Sequence, residues 1–200
     1  MDTVAKWGAG SAYGPVLTRT DLFLLHMGKS VKLELNPILA GSNPDFQLIL
    51  WMLNGHTGGF NPNGEDHPFT DKDQPATLPR VQELYVITEY SPWCTIIRND
   101  NGVTMNDVCQ AMWKEYSENL VTDAEMHSLH PRTQEQVKRA AMSNSQSRQQ
   151  FGIHYSGQHI RRVDWLRERV MFDKMVSNDA YAEKRLGFKA PNIFVMHLTP

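Results

Sequence analysis

Val81-Gln82-Glu83-Leu84-Tyr85-Val86-Ile87-Thr88, then Tyr90-Ser91-Pro92, then Trp93-Cys94-Thr95-Ile96-Ile97-Arg98, is the stretch whose reading decides the fold. Both apolar runs are rich in β-branched and aromatic residues, which pack well on a pleated surface. Alternation puts Leu84, Val86 and Thr88 on one face and Tyr85 and Ile87 on the other. Pro92 cannot donate to a ladder, so the run breaks there, and the short break predicts an antiparallel hairpin. Asn99-Asp100-Asn101-Gly102 is a turn cluster. A helix follows it: Thr104 is placed as N-cap, Asp107 complements the first turn, and Val103 and Val108 form a hydrophobic staple. Val108, Cys109, Met112, Trp113, Tyr116 and Leu120 then recur at helical spacing. The unit Pro79–Leu120 therefore reads as strand, strand and capped helix.

Outward from this unit, Val31–Leu35 and Phe46–Met52 read as strands, and Asn192–Leu198 reads as a closing strand. The short run Asp21–His26 fits strand and helix alike. Asn54–Pro75 reads as a long polar loop. Thr122-Asp123-Ala124-Glu125 is a capping box that opens a second helix, and Pro131 opens a third, running to about Gln149. Ser143–Gly157 reads as polar loop and Ile160–Leu166 as a strand. Arg167–Arg185 is open between helix and strand start. The predicted fold is α+β, a mostly antiparallel sheet with two or three helices packed on one face. Residues 1–20 are expected to be a flexible N-terminal tail and 21–200 a single domain. Trp51, Leu84, Val86, Trp93, Ile96, Val108, Met112, Tyr116, Trp165, Phe172 and Phe194 are the predicted core.

Four short motifs carry a resemblance. They are Pro92-Trp93 with Val103-Thr104 and Asp107-Val108, Leu35-Asn36-Pro37-Ile38-Leu39, Arg162-Val163-Asp164-Trp165-Leu166 with Phe172, and Phe194-Val195-Met196-His197-Leu198. Their order resembles that of a basidiomycete fungal domain of unknown function, the 6699 family of such domains. Met52 and Asp173-Lys174-Met175 depart from its pattern, which has an aspartate at the first place and a small residue, glycine and leucine at the second. The resemblance implies a fold and a fungal source. It supplies no catalytic residues.

At 200 residues, 40% hydrophobic and 21% charged, the chain has an ordinary globular composition. Residues 1–129 hold 8 Lys/Arg against 16 Asp/Glu, and residues 130–200 hold 12 against 6. Such an asymmetry marks a basic face for an anionic partner, or two halves that interleave and neutralise each other; the second reading is preferred. Cys94 and Cys109 read as core thiols of a reducing compartment. Met1–Lys6 has no apolar signal core, and no stretch reaches the length of a membrane span. The expected location is cytoplasmic or nuclear, with no membrane partner.

Chemistry-bearing patterns are sparse. Gly8–Gly14 has no strand before it and Pro15 after it, so it does not read as a dinucleotide loop, and no cofactor is expected. Glu65, Asp66, Asp71 and Asp73 with His56 and His67 read as a solvated loop. His127 and His130 share a helical face without a third ligand in sequence, so no metal is expected. Arg161, Arg162 and Asp164 are the candidate ligand-binding residues: set under a pocket they would hold or act on an anion. The structural alternative is an arginine–aspartate pair that clamps the last strand. Arg161, Arg162, Arg167, Arg169, Lys184, Arg185 and Lys189, with Phe151, Tyr155 and Trp165 to stack, are the residues of a weak nucleic-acid surface. The leading expectation is a non-enzymatic binding module for a protein partner. A small ligand-binding protein or enzyme centred on Arg162 and Asp164 comes second and nucleic acid third.

Overall fold

The computed structural model describes residues 6–8, 14–28, 32–150 and 159–200. Six helices, α1 (Arg19–Gly28), α2 (Met105–Ser117), α3 (Asp123–Ser128), α4 (Pro131–Gln150), α5 (Arg162–Trp165) and α6 (Asp179–Leu186), are found there. They accompany nine strands: β1 (Glu34–Leu35), β2 (Gln47–Trp51), β3 (His56–Phe60), β4 (Asp66–His67), β5 (Thr77–Leu78), β6 (Glu83–Ile87), β7 (Cys94–Arg98), β8 (Met171–Val176) and β9 (Ile193–Thr199). The α+β class holds, but its details differ from expectation. Seven strands form one sheet in the order β4-β3-β2-β8-β9-β6-β7, and β9 runs parallel to β6, so the sheet is mixed. Among the described residues there are six helices rather than two or three.

The expected hairpin is present, with Glu83 opposite Arg98 and Ile87 opposite Cys94. The alternation of β6 sorts its side chains as expected. Leu84 and Val86 enter the main core with Val108, Met112 and Tyr116 of α2, and Ile87 enters a smaller cluster on the other face. Strand β9 explains why helices cover both faces. Phe194 and Met196 point into the main core, whereas Ile193 and Val195 meet Ala182 of α6. A central strand apolar on both faces needs cover on both. Ile96, expected in the core, is 46% exposed, because β7 is an edge strand and Ile96 alternates away from buried Thr95 and Ile97. Trp51 and Trp165 are half-buried rather than enclosed.

Helix α2 begins as predicted. The Thr104 hydroxyl accepts from the Asp107 N–H, and the Asp107 carboxylate accepts from the Thr104 N–H at 2.9 Å. The Thr122–Glu125 box opens α3 in the same way, and Pro131 opens α4, which continues through part of the expected Ser143–Gly157 loop to Gln150; residues 151–157 of that stretch lie outside the described residues. The run Asp21–His26 is helical, within α1. The expected strand Ile160–Leu166 is instead the short helix α5, because the Asp164 carboxylate accepts the Arg161 N–H at 2.8 Å and closes a helical turn. The ambiguous stretch 167–185 splits into β8 and α6. The predicted strand 31–35 reduces to β1, which pairs with β5 in a separate two-stranded sheet; Val31 lies outside the described residues.

The expected loop 54–75 holds two strands, β3 and β4, and a 3-10 turn. β3 pairs with β2 from Trp51–His56 to Gln47–Phe60, and β4 adds the outer edge. Gly58 and Gly59 hide β3 in the sequence, since glycine is poor in strands. Phe46 supplies the missing packing: a Cβ at Gly59 would lie within 2.2 Å of its ring. Of the expected tail at 1–20, Leu17 exchanges backbone hydrogen bonds with Arg80 and Gln82, and Trp7 is buried. Residues 9–13 of the glycine-rich 8–14 stretch lie outside the described residues.

Gly55 turns the β2–β3 hairpin with φ +73°, and a Cβ there would come within 2.6 Å of the Trp113 ring on α2. Gly64, with φ +78°, has nothing within 4 Å of the same position. Gly55→Ala is therefore expected to cost roughly 2 kcal/mol, or roughly 4–8 °C in Tm. Gly64→Ala meets only the backbone penalty, on the order of 1 kcal/mol. Thermal unfolding of the two variants checks this; equal losses would show that the ring contact adds nothing.

Candidate functional site

Arg161, Arg162 and Asp164 meet at α5, and each has partners within the chain. Asp164 is 1% exposed; one carboxylate oxygen accepts from Arg161 N–H and the other from Asn144 Nδ2 at 2.9 Å. The Arg161 guanidinium donates to the carbonyls of Ser117 and Glu118, which are left over at the end of α2. Arg162 forms an ion pair with Glu115 of α2, and both side chains are 21% exposed. The expected structural clamp on the last strand is thus a clamp on α2. Above it, the Arg162 guanidinium lies 4.6 Å from the Trp93 ring centroid. Trp93 meets Trp165 edge-on at 5.1 Å and Tyr116 at 6.1 Å, and its Nε1–H donates to Glu125 at 2.6 Å.

The other candidate residues are scattered. Arg169 lies over the Tyr90 ring, Arg185 donates to the Ser91 carbonyl, and Arg167 donates to Gln136. With Arg161 and Arg162 bound to α2, these cations are spread over several elements. Phe151 and Tyr155 lie outside the described residues. His127 donates through Nδ1 to the Asp123 carbonyl of its own helix. Among the described residues, no three His, Cys, Asp or Glu side chains are grouped to hold a metal ion. Cys94 and Cys109 are free; burial pushes the Cys109 thiol up to about 12, and burial likewise raises the half-buried Cys94. Both are poor nucleophiles at neutral pH. No described helix is long and apolar enough to cross a membrane.

A different place has the geometry of a binding site. A cleft of about 500 Å³ opens between the Asn36–Phe46 segment, β4 and the 3-10 turn Thr70–Asp73. That volume lies within the range of ligand sites. Its floor is aromatic: Phe46 stacks on Phe69 with centroids 5.6 Å apart and planes 15° apart, and His67 meets Phe46 edge-on at 6.1 Å. Trp7, only 4% exposed, forms part of the wall. Asp45 and Asp71 stand exposed on the rim.

Local hydrogen bonds set these walls rigidly. The Asn43 side-chain oxygen accepts from the N–H groups of Asp45 and Phe46, fixing the approach to β2. Asn36 holds the opposite wall: its oxygen accepts from Ile38 N–H, and its amide donates to the Pro75 carbonyl at 3.1 Å. The backbone around Gln74 is tied to the start of α2, through Met105 N–H to Gln74 and Ala76 N–H to Val103. The arrangement presents an apolar platform under carboxylates.

The sequence reading placed no site here. Phe46, Phe69 and Trp7 come from three separate stretches; Phe46 reads as the start of a strand, and Phe69 and Trp7 look isolated in polar or glycine-rich surroundings. The usable signal was charge: residues 41–75 carry Asp45, Glu65, Asp66, Asp71 and Asp73 against Lys72 alone, and all five carboxylates are exposed.

A model of a family of unknown function, DUF6699, matches residues 51–185. No curated protein and no solved structure matches the chain.

The junction at Trp93 gives a pH-dependent prediction. Burial works against the charge of Glu125, but hydrogen bonds from the Thr122 N–H and Trp93 Nε1–H outweigh it and hold the carboxyl below its ordinary 4.5. A depressed folded value means that the unfolded chain takes up the proton first. The contribution is complete above about 4.5 and is lost as pH falls through the lower folded value. Trp93→Phe removes the donor, so it is expected to cost about 1–2 kcal/mol at pH 7 and less below pH about 4. Urea unfolding at both pH values measures the difference; a penalty that does not change with pH would refute the role given to this hydrogen bond.

Proposed function

We propose a binding role for this chain, which belongs to the DUF6699 family of unknown function: it is a module that takes up a basic peptide segment of a protein partner, with an apolar or aromatic side chain of that segment resting in the cleft. The observation that carries the reading is the stacked Phe46–Phe69 platform beneath exposed Asp45 and Asp71. An aromatic face attracts both apolar groups and cations, and exposed carboxylates around it favour lysine and arginine over acidic side chains. Exposed Phe23 and Leu24 on α1 also favour a surface made for contact. In this reading Arg161, Arg162 and Asp164 support the fold rather than contact a ligand, a role favoured by their bonds to α2 and to Asn144. A single domain over 21–200, a fungal source and a cytoplasmic or nuclear location complete the proposal. The motif resemblance favours the source, and the two free thiols favour a reducing compartment.

Selection of a random peptide display library on the immobilised full chain tests the reading. The expected winners combine Lys or Arg with Trp, Phe or Leu. Their affinity should fall as salt rises, because the rim charges are exposed. It should also drop about tenfold on Phe46→Ala. Since Phe46 also covers Gly59, the paired reversal Asp45→Lys and Asp71→Lys, at exposed positions, is the control that leaves the fold intact. Acidic winners, or winners that bind both variants as well as the wild type, would overturn the proposal.

A further inference from the structure

We infer that the groove between α4 and the α5–β8 connection is a second binding site, one that takes the phosphate group of a phosphate monoester or of free phosphate through Arg139 and Arg167. The groove has a volume of about 490 Å³ and shares no residue with the aromatic cleft. Gln136, Arg139, Ala140 and Ser143 recur at helical spacing and give it one face of α4. Arg167 and Glu168 form the facing wall. Among the described residues Arg139 has no hydrogen-bond or ion-pair partner, and no ion pair joins either arginine to Glu168. Two cations therefore share one concave space, and a single exposed carboxylate lines it with them.

Arg167 is the residue that singles the groove out. It follows the end of α5 with φ +59°, the left-handed conformation for which glycine is the usual residue after a helix. A Cβ makes that conformation costly. The side chain that bears this cost is half-buried, its Nη1 donates to the neutral Gln136 amide oxygen at 2.9 Å, and its Nε is buried with no hydrogen-bond partner. The carboxylate nearest in sequence does not serve it: Asp164 accepts from the Arg161 N–H and from Asn144. A half-enclosed guanidinium without a counter-charge is left partly desolvated, and an anion in the groove supplies the missing charge. Phosphate suits the site better than a carboxylate. Its three terminal oxygens can meet arginine forks from both walls, whereas the two oxygens of a carboxylate are matched by one. A nucleic-acid backbone suits it less well, because it needs a track of cations, and Arg161, Arg162, Arg169 and Arg185 are held within the chain.

Isothermal titration calorimetry of the full chain, in low-salt buffer free of phosphate, tests the site with two probes: inorganic phosphate, and O-phosphoserine blocked at both ends. Saturable binding is expected, with affinity falling about tenfold or more in Arg139→Gln and in Arg167→Gly. Arg132→Gln makes the same change of charge at an exposed position on the same helix, outside the groove, and is expected to leave the affinity unchanged. Glycine relieves the backbone at position 167 while removing the Gln136 bond, so the Tm of Arg167→Gly should stay near that of the wild type. Should that variant fold poorly, Arg139→Gln decides alone. The probe that binds more tightly names the source, a phosphorylated segment or the free ion. Binding of neither probe, equal weakening by all three substitutions, or no change in Arg139→Gln would overturn the site. A single-stranded oligonucleotide that binds more tightly than both probes would overturn the assignment to phosphate or a monoester. None of these results bears on the aromatic cleft, which the library selection decides separately.

Discussion

The indole of Trp93 is where β7, α2, α3 and α5 are joined. It touches Tyr116 on α2, Trp165 on α5 and the Glu125 carboxylate on α3, and it lies under the Arg162 guanidinium. Aromatic pairs of this kind are worth about 0.5–1.5 kcal/mol each beyond the area they bury. A half-buried arginine–glutamate pair is close to break-even against its desolvation. The ion pair between Arg162 and Glu115 therefore serves mainly to orient, and the aromatic contacts supply the stabilisation. Removing the ring would release three helices from the sheet edge at once.

Helix α2 carries this constraint to the other end of the molecule. Its C-terminal carbonyls are held by Arg161, and its N-terminus is capped through Thr104 and Asp107. The residues just before it bond to Gln74 and Ala76, which back the cleft. A 13-residue helix of about 20 Å thus links the clamp at Trp93 to the binding platform at Phe46 and Phe69. The Gly55 turn against Trp113 adds a third attachment midway, between the helix and the β2–β3 hairpin. The cleft walls are rigid because they are anchored to this helix, and the helix is rigid because both of its ends are occupied.

The hairpin β6–β7 and the start of α2 were legible because their signals are local. Alternation in Leu84–Thr88 and the Thr104–Asp107 box act within a few residues. α5 was misread as a strand because its cap is unusual: the N-terminal position is Arg161 and only the Asp164 side of the box is present in the sequence. β3 was misread as loop because Gly58-Gly59 has no strand propensity of its own and depends on the ring of Phe46, just before β2. Across the two parts of the chain with opposite charge balance, Arg162 forms an ion pair with Glu115, while Arg161 and Arg185 bond to backbone carbonyls at the end of α2 and at Ser91. The cleft was illegible because it draws on residues near 7, 36, 46 and 70, and no periodicity joins them.

The measurement that bears most directly on the central claim is a map of the bound peptide. Amide resonances of the full chain would be followed by two-dimensional NMR while a blocked peptide from the display selection, one that pairs Lys or Arg with an aromatic residue, is added. The account predicts shifts confined to residues 36–46 and 67–74, with the surroundings of Arg161, Arg162 and Asp164 unchanged. Shifts centred on residues 159–167, or scattered over the surface, would contradict it.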